Sequence, residues 1–301
     1  MTPAETVKQC AREAGFDLCG VTTAEIIPEA ATRYKEWLQK GYHADMHYLE
    51  NIERRTNPRA VMPNAKSVIM LALNYYSDQC EEADQAKIAR YGRGRDYHKV
   101  TERTLKLFTL MLKKAFPVET FRYYVDYGPF LERAYAEKAG IGFIGKNGNI
   151  ITHQFGSWVL LSEVITTMEM EPDAPAVRQC GTCTKCLTGC PTQAIVEDGL
   201  IDARKCISFQ TIENKSDTIP TPIKEQMSGW AFGCDICQEV CPFNNHVRNK
   251  NTLHEELEPR YAGFVTHDPA LTSDDLFLEK FQGTPIMRAK RKGIMRNLLH
   301  P

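Results

Sequence analysis

Eight of the eleven cysteines fall between Cys180 and Pro242, and their spacing limits what this chain can fold into more than any other feature. The first run is Cys180-x-x-Cys183-x-x-Cys186-x-x-x-Cys190-Pro191. In bacterial ferredoxins that spacing wraps three thiolates around one iron–sulfur cubane and sends the fourth to a second cluster. The second run, Cys234-x-x-Cys237-x-x-x-Cys241-Pro242, is one cysteine short, because Ala231 stands where a full repeat carries its first thiol. Two cubanes need eight ligands, and Cys206, alone between the runs, completes the count. The crossing rule assigns one 4Fe-4S cluster to Cys180, Cys183, Cys186 and Cys241, and the other to Cys190, Cys206, Cys234 and Cys237. Zinc sites stop at four ligands and leave the x-x-Cys and x-x-x-Cys-Pro steps without a role. Disulfides belong to oxidising compartments, and the start Met1-Thr2-Pro3-Ala4-Glu5 has no basic-then-apolar leader, so a cytoplasmic protein is expected. Cys10 and Cys19 lie on apolar faces and read as small packed hydrophobes, while Cys80 sits in a polar loop and carries no signal.

The chain is 301 residues long and 43% hydrophobic, enough for about two domains. Its longest apolar runs, such as Val68 to Leu73, are far shorter than the roughly 20 residues of a bilayer helix, so no membrane association is expected. Charge is balanced overall, with 37 basic and 38 acidic residues, but unevenly spread. Lys87 to Lys106 holds seven Lys/Arg against two acids, and Met287 to the end holds five Lys/Arg and no acid. Such segregation suits a polyanion on one face, and equally a solvated helix surface.

Read in order, the chain alternates helices and strands. Thr2 caps a first helix with Pro3 at its first position and Glu5 completing a capping box, and Gly15 stops it. Phe16 to Val21, Ser67 to Tyr75, Phe121 to Val125, Asn149 to His153 and Trp158 to Thr166 read as strands. Glu29 to Gln39, Lys99 to Ala115 and Phe130 to Ala139 read as helices. The expected class is mixed α+β or α/β: a domain over 1–172, a ferredoxin-like two-cluster domain over 173–250 after a linker at Pro172 to Pro175, and a helical tail over 251–301.

Gly140-Ile141-Gly142-Phe143-Ile144-Gly145 matches the dinucleotide fingerprint by letter, but it follows a helix and precedes a strand, the reverse of what that motif needs. The glycines instead cap the helix and permit close approach to the backbone. Asp126 ends an apolar strand before Tyr127-Gly128-Pro129. It reads either as a ligand-facing carboxylate at a strand's carboxyl edge or as a turn former. Asp96, the one acid in Arg90-Tyr91-Gly92-Arg93-Gly94-Arg95-Asp96-Tyr97-His98, reads as an ion-pair partner or a chemical group.

Taken together, Asp126-x-Gly128-Pro129-x-Leu131-Glu132-Arg133, Gly140 to Asn147, Gly156-Ser157-Trp158, the cysteine frame and Gly233-Cys234-Asp235-Ile236-Cys237-Gln238-Glu239-Val240-Cys241-Pro242-Phe243-Asn244 resemble the epoxyqueuosine reductase family over nearly the whole chain. Arg90-Tyr91, Asp96-Tyr97-His98, Cys206-Ile207-Ser208, Arg288 and Arg296-Asn297 match as well. The resemblance implies a corrinoid-binding domain followed by the ferredoxin domain. It implies removal of the epoxide oxygen of epoxyqueuosine at the tRNA wobble position by base-off cobalamin, reduced to cob(I)alamin by the two clusters and an external electron donor. Asp126 is then the proton donor, kept protonated by burial, with Asp96 in reserve or orienting the substrate. Tyr97, Tyr127, Gly128, Pro129, Ile150, Ser157, Trp158 and Ser208 are expected against the cofactor, and Arg288, Arg291 and Arg296 against RNA. A monomer is expected. Many members continue into a C-terminal helical-repeat domain, whereas this chain ends at Pro301, so its grip on RNA is expected from the two domains and the tail. The other readings are a reductive dehalogenase-like corrinoid enzyme and a ferredoxin-type electron carrier, and the carrier leaves the upstream domain without a purpose.

Overall fold

The computed structural model describes residues 1–78, 85–247, 250–265 and 267–298, so Cys80 lies outside the described residues. The first helix, Pro3–Ala14, carries the reciprocal capping box of Thr2 and Glu5, and Gly15 ends it at φ 106°. Its buried stripe of Val7, Cys10 and Ala11 packs on a four-stranded sheet.

That sheet runs Leu18–Thr23, Ser67–Asn74, Val159–Thr166, Phe121–Tyr124 in spatial order, and every neighbouring pair is antiparallel. The alternating helix–strand reading leads one to expect parallel strands. All eight residues of Ser67–Asn74 are buried, a pattern common in parallel sheets, and the reason here is that helices cover both faces. Ile69, Leu71 and Leu73 meet Pro3–Ala14 and the long helix Tyr97–Ala115, while Val68, Met70 and Ala72 meet the helix Glu132–Lys138. A period of two thus serves two cores at once. The carboxyl-edge argument for Asp126, which presumes a parallel sheet, does not apply in this form.

Gly140, at φ 74°, ends the Glu132–Lys138 helix, and the following residues form a hairpin of Phe143–Ile144 with Ile150–Ile151. A side chain at Gly142 would collide with the carbonyl of Ile151, so what approaches these glycines is the chain's own backbone.

A second sheet draws on all three segments: Trp230–Phe232 lies between none of its sequence neighbours, pairing in parallel with Ala86–Ile88, which in turn pairs antiparallel with Gly263–Phe264. Ala231, the position lacking a cysteine, is the buried centre of its strand, and its carbonyl accepts from Asn297 Nδ2 at 2.7 Å. The tail helices Asp274–Phe281 and Lys290–Leu298 pack here through Phe277, Phe281 and Ile294. No helix among the described residues is long and apolar enough to cross a membrane.

Candidate active site

The described cysteines form no disulfide. Electrostatically, Cys186 and Cys241 feel Cys180 and Cys183, while Cys237 and Cys234 feel Cys206 and Cys190, so the thiols fall into two quartets. Burial pushes Cys186 up to about 11 and Cys237 well above the ordinary thiol range. Thiols gathered so closely repel one another as thiolates and need compensating positive charge, which iron supplies. Both quartets therefore fit a cubane.

One cleft of about 1980 Å³ opens between the sheet domain and the cysteine-rich region. Drug-sized ligands occupy roughly 300–1,000 Å³, so this space suits a much larger guest. Its wall includes Cys190, Cys206, Cys234 and Cys237 and none of the other quartet. Tyr75, Tyr91, Ile150, Val159 and Leu160 make much of the wall apolar or aromatic, as a flat macrocycle needs.

The wall also includes Asp126, in the left-handed region at φ 54°, a conformation that only a minority of non-glycine residues adopt. Its Oδ2 accepts from Tyr97 OH at 2.7 Å and from His98 Nε2 at 3.1 Å. Asp96 caps the Tyr97–Ala115 helix, accepting from the His98 backbone N–H at 3.1 Å, and its Oδ1 also takes His98 Nδ1 at 2.7 Å. The His98 ring is sandwiched between Tyr97 at 4.0 Å and Tyr127 at 4.4 Å. Burial works against its charge, yet the hydrogen bonds to Asp126 and Asp96 prevail and push His98 up to about 9. Burial works the other way on Asp126, but the His98 and Tyr97 donors outweigh it and hold the carboxyl below its usual range. In the open cleft these bonds favour a charged His98 between two carboxylates over a neutral acid at Asp126.

Residues 55–127 match the family model described as Epoxyqueuosine reductase QueG, DUF1730, and residues 179–244 match the 4Fe-4S double cluster binding domain. Over 275 residues the chain is 49% identical to an epoxyqueuosine reductase of Synechocystis sp., covering 89% of this chain and 94% of that relative. A Gloeobacter violaceus epoxyqueuosine reductase is 42% identical over 98% of this chain and 94% of its own length. The chain belongs to the epoxyqueuosine reductase family. A crystal structure of an epoxyqueuosine reductase with an epoxyqueuosine-modified tRNA-Tyr stem loop superposes at TM-score 0.89 and 36% identity, over 98% of this chain and 79% of that one. An epoxyqueuosine reductase from Bacillus subtilis, caught with an aspartate-bearing catalytic loop swung out of its active site, superposes at 0.88 and 33% identity, with the same coverage.

Not every residue assigned from the family pattern reaches the cleft. Tyr97, Tyr127, Pro129, Ile150, Ser157 and Ser208 line it. Trp158 does not: it is 2% exposed and packs edge-on against Tyr75 at 5.9 Å, because a ring this large gains more from core burial than from the cleft surface. Gly128 also faces inward, where a side chain would drive into the Glu163 carboxylate and Tyr124. Arg296 is corrected as an RNA contact. Its guanidinium donates to the carbonyls of Gln210, Asn214 and Ser216 and to Asn297 Oδ1, so no N–H remains for a phosphate. Arg291 is likewise engaged inside the tail by Asp274 and the Leu271 carbonyl. Arg288 lines the cleft and keeps a half-exposed side chain although Glu213 holds it in a fork at 2.8 Å.

Sequence reasoning passed over His98, Glu132 and Glu163. Glu163 had a visible signal: it shares strand parity with the core residues Leu161 and Ile165, a position where a charge is out of place.

Proposed function

We propose that this protein reduces epoxyqueuosine to queuosine in tRNA, with two 4Fe-4S clusters held by the cysteine quartets and a base-off cobalamin in the cleft. The observation that carries this reading is the cleft itself, which joins the Cys190, Cys206, Cys234 and Cys237 wall to the Tyr97, His98 and Asp126 wall. Bound there, cobalamin supplies a strongly reducing, nucleophilic cobalt. Both ring nitrogens of His98 are engaged by carboxylates, consistent with a cofactor that takes no histidine from this chain. The Cys180, Cys183, Cys186 and Cys241 quartet lies outside the cleft among exposed residues, and an external donor would deliver electrons on that side.

The chain's own part in the chemistry is proton handling. Opening an epoxide leaves charge on oxygen, and a positioned acid must quench it. Asp126 Oδ1 accepts from none of the described residues and is free to face a substrate oxygen. A guest filling the cleft removes water from Asp126, whose side chain is 53% exposed without one. In that drier medium a charged His98–Asp126 pair is less favoured than the neutral one, so the proton moves from His98 Nε2 towards Asp126. Asp96 fixes the ring orientation, and Tyr97 OH holds Oδ2 where it receives that proton; with Oδ1 unbound, the carboxyl can turn to present the new O–H to the substrate oxygen.

The test is an anaerobic assay of an epoxyqueuosine-containing stem loop with reconstituted protein, cobalamin and a strong reductant, read by nucleoside mass. A product one oxygen lighter, dependent on cobalamin, is expected, and an unchanged nucleoside would refute the proposal.

Among the tail cations only Arg288 is assigned to the RNA. Arg288→Glu should weaken stem-loop binding and lower the slope of log affinity against log salt by about one, with little change in melting temperature. Arg296→Ala should do the opposite, costing about 3 kcal/mol of stability through the carbonyls it leaves unpaired while sparing affinity at a temperature where it is folded.

A further inference from the structure

Resting on the reaction just proposed, the balance is epoxide plus two electrons plus two protons giving alkene plus water, so each turnover consumes two protons. The His98–Asp126 set holds one. Directly behind it lie Glu132 and Glu163. Glu163 is fully buried on the face of its strand that meets the Glu132–Lys138 helix, and it lies in register with Tyr124, two residues before Asp126. Both oxygens of Glu163 and Oε1 of Glu132 are buried with no donor reaching them among the described residues. The Asp126 backbone N–H donates to Glu132, and a side chain at Gly128 would drive into the Glu163 carboxylate. A carboxylic hydrogen carried by the pair gives an O–H···O bond between the two side chains and satisfies two of these three oxygens, where two bare carboxylates would repel.

We infer that Glu132 and Glu163 share one carboxylic proton and form the store for the second proton of the reaction, relayed to Asp126 once the first has been given up. In that step an O–H bond on Glu132, which lines the cleft, breaks as one forms on Asp126. The carboxylate left behind is later reprotonated from water. Both residues act through Asp126 and touch no reacting atom.

The groups facing the pair are Asp126 and Arg133 around Glu132, Arg55 near Glu163, and Tyr97. Burial comes first among the influences and raises both acids, and the neighbouring carboxylates raise them further. Glu132 is pushed up to about 7, so its carboxylic proton is present below neutrality and given up above it, and Glu163 is pushed well above its usual range.

The experiment uses the cluster- and cobalamin-loaded protein and its Glu132→Gln and Glu163→Gln variants, two separate replacements that keep size and neutrality. Infrared titration should reveal a carboxylic acid carbonyl band in the wild type that fades near pH 7, and that step near pH 7 should be missing in both variants. Turnover in the wild type should fall as pH rises past about 7, whereas the variants should lose that break and turn over roughly 10²-fold more slowly at unchanged KM for RNA. A wild type with no carboxylic band titrating above pH 6 would overturn the inference. So would variants that convert RNA with the wild-type rate and pH profile and differ only in melting temperature, since that is the signature of a pair that merely props the Gly128 turn. A wild type that converts no RNA at any pH overturns the reaction and with it the use of the store, so the two failures are told apart.

Discussion

Cys206→Ala should leave a folded protein with half its iron and sulfide and no turnover. Of the two thiol quartets, the one containing Cys206 forms part of the cleft wall, so electrons bound for a guest in the cleft must leave through it. The other quartet shares no thiol with it and should keep its cluster. Iron and sulfide analysis with electron paramagnetic resonance after reduction gives the count, and the nucleoside assay gives the rate. Cys19→Ser is the matched control. Burial pushes the Cys19 thiol up to about 12, and its charged surroundings are Lys8, Asp173 and Arg12 with only Cys10 as a neighbouring thiol, so both readings should stay at wild-type values. Full iron in Cys206→Ala would remove that residue from the ligand set.

The second large effect is expected at Asp126. Asn keeps the size and tolerates the φ of 54°, so Asp126→Asn should fold and carry both clusters. It cannot pass on a carboxylic proton, and turnover should drop about 10²-fold or more. The pH dependence supplies a further check. His98 lies raised, near 9, through its bonds to Asp126 and Asp96, so its stabilising contribution is complete below the free imidazole value and disappears as pH climbs through about 9. Removing the Asp126 charge should shift the His98 titration, followed by nuclear magnetic resonance of the ring protons, to lower pH, and the alkaline decline in melting temperature should move with it. A fast, fully loaded Asp126→Asn protein would take Asp126 out of the mechanism.

What could be read from residues alone depended on how local the determining physics is. The Thr2–Glu5 capping box and Gly15 bound a helix within a single turn at each end, and the spacing predicts it to the residue. The apolar core of the Ser67–Asn74 strand was equally legible, but its partners were not, because burial on both faces looks alike in parallel and antiparallel sheets. Strands of two or three residues, such as Ala86–Ile88 and Gly263–Phe264, show no periodicity at all and exist only through their pairing. At the site, Asp126 stood out because a turn motif surrounds it, whereas Asp96 was open between ion pair and chemistry until His98 was seen between the two carboxylates. Arg296 misled because a basic tail looks the same whether its guanidinium groups meet phosphates or carbonyls.

The sheet of Trp230–Phe232, Ala86–Ile88 and Gly263–Phe264 also sets an order of assembly during synthesis. Its middle strand emerges from the ribosome long before either partner, and every thiol of both quartets is translated before Gly263. There is therefore an interval in which the cysteines are complete but the closing strand is absent. Clusters inserted in that interval would meet a chain whose second sheet is not yet closed. Closure must wait for long-range pairing, which is slow because the chain between the partners has to be ordered first. The closing of that sheet thus rests on residues translated after the last cysteine of either quartet.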